Sequence, residues 1–456
     1  MSISRPLPGQ LNQASSNSGC HSPPYADLEE GLSRDAVNHQ DRLKRKFIGN
    51  EGTGLRSTGN TIPNETTATE KQDGQRNGVK RYSYRDRLGC YTWTFFTLTM
   101  ATGGMANVLH SIPFRPRWLR IIGATIMLFN IGLFLLNCTF LALRFRWNPG
   151  SFRASFTRPK ESLFVPASVV SAGTILINIC QYGIPNTGVW LQTTMQILFW
   201  VYAGIAFIAS ATIYLIIWST QAFPVHTMTP IWIFPAYPLL LLAPFAANLI
   251  DAIPDATAAA RISSLSIAFG AVTIQGTGFL ISLMIYGAFI YRLMTQKLPR
   301  GGARPGMFVS VGPSGFTVAG IVLLGDTLPK IMPDGYRGHP DAPFFLQLLA
   351  FMVGLWLWGL CVWFFVVSVG AHHKFARPDR PKYRLDFDMT WFSFVFPNTA
   401  LVTATQAIAK AFDSYAMKIV ATTMSGLLVV VWLSVLGMMV KSFCCKELLW
   451  PEEDEA

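Results

Sequence analysis

An apolar segment that is broken from within sets the tightest limit on what this chain can fold into. The stretch Arg304-Pro-Gly-Met-Phe-Val-Ser-Val-Gly-Pro-Ser-Gly-Phe-Thr317 opens a run that stays apolar to about Leu328. A bilayer crossing takes roughly 20 residues of helix, so the run is long enough. Yet Gly312, Pro313 and Gly315 sit inside it. Proline removes a backbone donor and clashes with the preceding turn, at a cost of ~3 kcal/mol or more in a helix interior. In hydrocarbon the freed carbonyls cannot turn to water. Neighbouring helices, Ser/Thr hydroxyls or a wet cavity must satisfy them. Ser310, Ser314 and Thr317 stand beside the break. The segment reads as a broken helix lining a polar path through a membrane.

The bulk of the chain agrees. Of its residues, 51% are hydrophobic and 14% charged, against about 25% charged in soluble domains. The apolar residues come in long blocks, which predicts a polytopic membrane protein. The formal charge of +12 then marks cytoplasmic loops rather than a nucleic-acid partner. The seven cysteines are scattered, with no spacing for a metal or a disulfide framework. No Walker A loop, zinc-helix motif or nucleophile elbow occurs, so neither a cofactor nor catalysis is expected.

Residues 1–80 form a polar tail with few large apolar side chains, predicted to be disordered and cytoplasmic. Within it, Leu43-Lys44-Arg45-Lys46 is either a lipid-touching or a merely solvated patch, and Asn64-Glu65-Thr66 is a sequon on the wrong side of the membrane. The transport domain spans 81–443, and 444–456 is a short acidic cytoplasmic tail. Cys444-Cys445 at its start is open to acylation or remains a plain thiol pair.

Ten spans are predicted: Cys90–Ile112, Leu119–Arg144, Phe164–Tyr182, Val189–Trp218, Thr229–Ile250, Ile262–Leu293, Met307–Leu328, Phe344–Val369, Met389–Phe412 and Tyr415–Val440. The sixth is overlong. The odd spans carry breakers: Thr102-Gly103-Gly104, Pro166, Pro235 with Pro238 and Pro244, Gly312-Pro313, and Pro397. The even spans carry no proline. Broken and unbroken helices alternate five times, a weak internal repeat of helical hairpins. The economical fold is all-α: ten transmembrane helices as five pseudo-repeated hairpins around a central pore, with the odd helices kinked and inner and the even ones facing lipid. The competing reading is that each proline only kinks a packed helix.

Lys and Arg in the short loops are more numerous on the side that holds both termini, which places both termini in the cytoplasm. The path itself is poor in charge. Besides the breakers it offers Ser168, Ser171, Asn398 and Thr399. The charged residues Asp251, Asp326, Lys330 and Lys410 fall near span ends. Hydroxyls, backbone N–H groups and the positive ends of half-helices would then hold an anion. Arg300 and Arg304 at the inner mouth either concentrate anions by focusing or only set topology. Phe396, beside Pro397, either plugs a narrow path or simply packs. His110 and His226 are candidate proton carriers with no partner evident in sequence.

The motif at 304–317 resembles the signature of fungal malic acid transporters, within the tellurite-resistance/dicarboxylate transporter family. That family is related to plant slow anion channels and fungal sulfite efflux pumps. Phe95-Phe-Thr-Leu-Thr-Met-Ala-Thr-Gly-Gly104 is similar to the family's first helix. Trp391-Phe-Ser-Phe-Val-Phe-Pro-Asn-Thr399, Met424-Ser-Gly426 and Val435-Leu-Gly437 resemble its last hairpin. The resemblance covers about 82–450. It implies a homotrimer of ten-helix protomers, each with its own pore, and a phenylalanine in the ninth helix, matched by Phe396, that occludes it.

The function expected from all this is passage of a small carboxylate anion, malate or another C4-dicarboxylate, across the plasma membrane. An inside-negative potential opposes anion entry by ~2.3 kcal/mol per charge per 100 mV. Uptake therefore needs protons, whereas efflux can run downhill. Two rivals stand beside it: efflux of sulfite or another inorganic anion, and a non-transporting receptor or scaffold.

Overall fold

The computed structural model describes residues 83–253, 258–299, 301–333, 335–373 and 387–450. The chain divides into units 1–78 and 79–456. The expectations for the 1–80 tail, for Arg300 and for the acidic end lie outside the described residues.

Helices account for the fold, and no strand occurs among the described residues. The principal ones are α1 (Phe96–Ser111), α2 (Arg117–Trp147), α3 (Ala167–Asn178), α4 (Val189–Thr220), α5 (Leu242–Asp251), α6 (Ala258–Gln296), α7 (Val311–Ile331), α8 (Ala342–Ala371), α9 (Phe396–Ala411) and α10 (Tyr415–Cys444). Among the described residues, eight segments are long and apolar enough to cross a membrane. By that measure α1 and α9 fall short, at 16 residues each.

Two classes of helix alternate along the chain. The even-numbered helices are uninterrupted over 31, 32, 39, 30 and 30 residues. The odd-numbered ones are composites. A 3₁₀ segment precedes α5 (Pro230–Leu241), α7 (Gly301–Ser310), α9 (Met389–Phe394) and, briefly, α1 (Trp93–Phe95). Helix α3 instead runs into a π turn, Ile179–Gly183, and a 3₁₀ turn, Ile184–Asn186.

These boundaries show the form of the expected breaks in the odd spans. Pro166 immediately precedes α3, and Pro397 is the second residue of α9. Pro313 is the third residue of α7 and Pro244 the third of α5. A proline in the first turn gives up a donor that had no partner there anyway. Pro235 and Pro238 sit inside the 3₁₀ segment ahead of α5. Pro166, Pro244, Pro313 and Pro397 thus stand at the starts of α-helices, while Pro235 and Pro238 lie within a 3₁₀ stretch. Thr102-Gly103-Gly104 breaks nothing, since α1 is continuous through it. Its glycines allow close approach. A Cβ on Gly103 would meet the Asn130 amide at 2.8 Å and the Thr174 hydroxyl closer still, and one on Gly104 would meet Thr399 Oγ1 at 2.8 Å.

Each composite packs against the next, and the last packs against the first. α1 touches α3, α3 touches the α5 composite, α5 touches α7, α7 touches α9, and α9 touches α1. Apart from α3, where seven of twelve residues are buried, they are buried at most positions. The even helices lie against this ring and turn large apolar side chains outward, among them Leu128, Ile208, Met284, Trp356 and Leu433. A soluble protein does not expose apolar surface on this scale. Hydrocarbon accepts it.

Close packing is set by small residues, as is usual between membrane helices. Helix α7 is the most crowded. A Cβ on Gly315 would lie 2.7 Å from the backbone carbon of Ala400, and one on Gly320 would lie 2.8 Å from Pro244. Backbone atoms cannot yield as a flexible side chain can. Gly315→Val is expected to cost about 1–3 kcal/mol of stability, the usual range for overpacking. A thermal melt of detergent-solubilised protein should show the fall. Gly359→Ala, where a Cβ meets nothing within 4 Å, should not lower the melt.

Candidate translocation pathway

The broken backbone of the ring leaves polar groups inside an apolar interior, and each must find a partner. Tyrosine hydroxyls supply several. Tyr202 and Tyr214 of α4 donate to the carbonyls of Pro238 (3.1 Å) and Trp232 (3.0 Å). Tyr286 of α6 donates to Ser310 O at 2.7 Å, and Tyr237 to Val309 O at 2.5 Å. Gln275 of α6 does two jobs: its Oε1 accepts from Ala243 N–H (3.2 Å) and its Nε2 donates to Thr317 Oγ1 (2.9 Å). In α2, the Asn137 amide donates to Phe95 O at 3.1 Å. The intact helices therefore clasp the interrupted ones at their interruptions.

Three aromatic side chains from three members of the ring meet. Phe396, the first residue of α9, lies 5.1 Å from Phe316 of α7 and 6.0 Å from Tyr237 of the segment before α5, centroid to centroid. Tyr237 and Phe316 are 6.4 Å apart, nearly perpendicular. All three are buried. Gly312 makes room for Tyr237, since any Cβ there would collide with its ring.

Phe316 also floors a cavity of about 370 Å³. Its walls come from the C-terminal ends of α1 (Asn107, His110), α5 (Asn248, Asp251), α7 (Thr327) and α9 (Thr403, Gln406, Lys410). These four helices therefore run in the same direction. Below its rim an amide knot joins three members of the ring. Gln181, in the π turn, donates to Asn107 Oδ1 (2.6 Å) and Asn248 Oδ1 (2.9 Å). Gln406 donates to Val108 O (3.2 Å) and to Ser425 Oγ (3.0 Å). At the rim Lys410 pairs with Asp326 at 3.0 Å, and Lys418 with Asp413. The Lys418 hydrogen bond and charge hold the Asp413 carboxyl below its usual range.

The residues singled out by sequence fall in different places. Phe396 belongs to the aromatic meeting point and Gly312 to its support, and Pro313 is buried in the first turn of α7. Ser310 turns back to Met307 O (2.7 Å), and Ser314 is fully buried in the first turn of α7. Thr399 donates to Phe396 O (2.6 Å), and Asn398 to Phe394 O (2.8 Å) while its buried Oδ1 has no partner among the described residues. Thr102 stays within its own helix, donating to Leu98 O. Ser171 joins α3 to α1 through Phe96 O (3.0 Å) and Thr99 Oγ1 (2.7 Å). Ser168 turns away from the ring, into an apolar crevice of Phe134, Leu141 and Leu198.

Arg304 is engaged by backbone. Its guanidinium donates to Pro299 O (3.0 Å) and Ala371 O (3.2 Å), tying the segment before α7 to the end of α8. Burial holds the imidazole of His372, next along, below its usual range; the nearby Arg304 charge acts the same way and the Ser368 carbonyl opposes them.

Sequence reasoning passed over Tyr237 and Phe316, the partners of Phe396, and the amides Asn107, Gln181, Asn248 and Gln406. The amides did carry a signal. Polar side chains inside apolar spans are costly and mark functional or structural contacts.

A helical membrane protein with a closed ring of interrupted helices, a buried aromatic contact and a polar cavity above it has the architecture of a transport protein. The chain belongs to the SLAC1 family of voltage-dependent anion channels, whose pattern matches residues 90–440. It is a membrane anion-transport protein and not an enzyme. It is 28% identical over 369 residues to the malic acid transport protein of Schizosaccharomyces pombe, covering 81% of this chain and 82% of that one. It is 23% identical over 357 residues to the sulfite efflux pump SSU1 of Arthroderma otae, covering 78% and 91%.

The amide knot yields a stability test. Gln181→Leu removes both of its hydrogen bonds, and interhelical bonds of this kind average about 0.6 kcal/mol each, with a maximum near 1.7. The thermal midpoint in detergent should fall accordingly, and it should fall less for Thr193→Ala, whose hydroxyl meets only the carbonyl of its own helix.

Proposed function

We propose that the chain carries small carboxylate anions, malate or another C4-dicarboxylate, across the plasma membrane. The observation that carries this reading is the aromatic meeting point of Tyr237, Phe316 and Phe396 beneath a polar cavity, inside a ring of interrupted helices. On this reading α1 and α9, extended by their 3₁₀ starts, also cross the bilayer. That makes ten crossings in five hairpins, with the odd members inner and both termini cytoplasmic. Phe396 is the gate. It stands at the start of α9, where the positive end of the helix dipole favours an anion. Hydroxyls and backbone N–H groups of the 310–317 and 396–399 segments hold the passing anion weakly enough for release. Arg304 serves the inner mouth chiefly by shaping it, with Arg300 as its companion in attracting anions. The protein works as a homotrimer, one path per protomer, with protons accompanying uptake.

The choice of malate rests on the 28% identity to the malic acid transport protein across four-fifths of both chains. The sulfite efflux pump is more distant, at 23%, and supplies the second reading.

Expression in oocytes tests both. Malate supplied outside or injected, at two pH values, should give currents above those of uninjected cells, and Phe396→Ala should enlarge them severalfold. Malate currents no larger than in uninjected cells would remove the substrate assignment. A preference for sulfite over malate would select the second reading. A Phe396→Ala protein that folds yet passes no more anion than the parent would remove the gate.

A further inference from the structure

One stripe of α9 runs from the aromatic contact to the cavity rim: Phe396, Thr399, Thr403, Gln406 and Lys410, spaced at the helical repeat. Thr403, Gln406 and Lys410 line the cavity. Fourteen residues at about 1.5 Å rise put Lys410 about 21 Å from Phe396. The cavity is otherwise a poor place for an anion. The C-terminal ends of four helices surround it, each carrying partial negative charge. Asp251, Asp326 and Asp413 add full negative charges at or near the rim. An anion that enters must find a cation there.

The two lysines of the rim differ. Lys418 is tied to Asp413, five residues away on the adjoining turn, in a local contact at the start of α10. Lys410 reaches across from α9 to Asp326 of α7, at 3.0 Å. Its side chain is 57% exposed and that of Asp326 is 34% exposed. Exposed pairs of this kind are worth about 0.2–1 kcal/mol. Exchanging one carboxylate for another on such an ammonium group therefore costs little.

Resting on the transport reading above, we propose that Lys410 is the capture residue of this mouth. It takes a carboxylate group of the substrate in exchange for that of Asp326, which acts as a built-in competitor. The ligand class is a small carboxylate anion. The captured anion then lies above Gln406 and Thr403, on the stripe that leads to Phe396. His110, Asp251, Asp413 and Lys418 are the other charged and titratable residues of the lining, and Arg115 and Arg120 add positive charge beside His110.

The test is the concentration dependence of malate current with malate supplied on the cavity side, in the full-length protein. Lys410→Gln should raise the half-saturating malate concentration. Asp326→Asn should lower it, by about 1.4- to 5-fold, the equivalent of 0.2–1 kcal/mol. Maximal current with malate driven from the opposite side should be unchanged in both. Thermal melts of the purified variants separate a capture role from a merely structural pair, which both substitutions would weaken alike. Half-saturation unchanged in Lys410→Gln, or raised equally by both variants, overturns the proposal while leaving the transport reading intact. Absence of malate current in the parent protein instead overturns the transport reading, and this inference with it.

Discussion

The fold is governed by one requirement: a backbone that leaves the α-helix inside an apolar layer must have every exposed carbonyl and N–H met from outside itself. Here the donors come from the uninterrupted helices. Tyr202, Tyr214 and Tyr286 each place a hydroxyl on a carbonyl of a 3₁₀ segment, and Gln275 serves a donor and an acceptor at once. The intact helices are thus more than a lipid-facing coat. They fix where the inner helices can be interrupted, and through that where Tyr237, Phe316 and Phe396 come together.

Size complements this chemistry. Tyrosines are bulky, and glycine stands opposite three of them. Gly173 accommodates Tyr202, Gly123 accommodates Tyr182, and Gly312 accommodates Tyr237. Each pairing places an aromatic ring where a Cβ would otherwise be. The ring of composites closes tightly at α7 and α9, where Gly315 lies against the backbone of Ala400. It loosens toward the C-terminal ends, where the cavity opens among amides and hydroxyls.

Much of this could be read from the sequence. Apolar blocks gave the helices, and breakers in every second block separated the two classes. The exact form of the breaks was not legible. Proline specifies where an α-helix cannot continue, but not whether the chain bends or starts afresh, and Pro166, Pro313 and Pro397 all mark starts. Gly103 and Gly104 looked like breakers because glycine serves both flexibility and close approach, and only the facing Thr174 and Thr399 tell which. Phe396 was found through its proline neighbour. Tyr237 and Phe316 carry no such neighbour mark, and they stand 80 or more positions from Phe396 along a chain folded into the ring. Arg304 was read as either an anion-focusing charge or a determinant of topology, and the carbonyls of Pro299 and Ala371 that engage it could not be foreseen from one dimension.

The shared direction of the inner helices has an electrical consequence. Dipoles that lie antiparallel in an ordinary helical bundle largely cancel, whereas α1, α5, α7 and α9 bring their C-terminal ends to one cavity and so reinforce one another. The axis of the ring is polarised from end to end even though it carries few formal charges. On the proposed path along this axis, an ion would climb one gradient and descend another of different shape. Flow in the two directions would then be unequal for equal and opposite driving voltages, with the asymmetry built into the backbone rather than into any side chain that a single substitution removes.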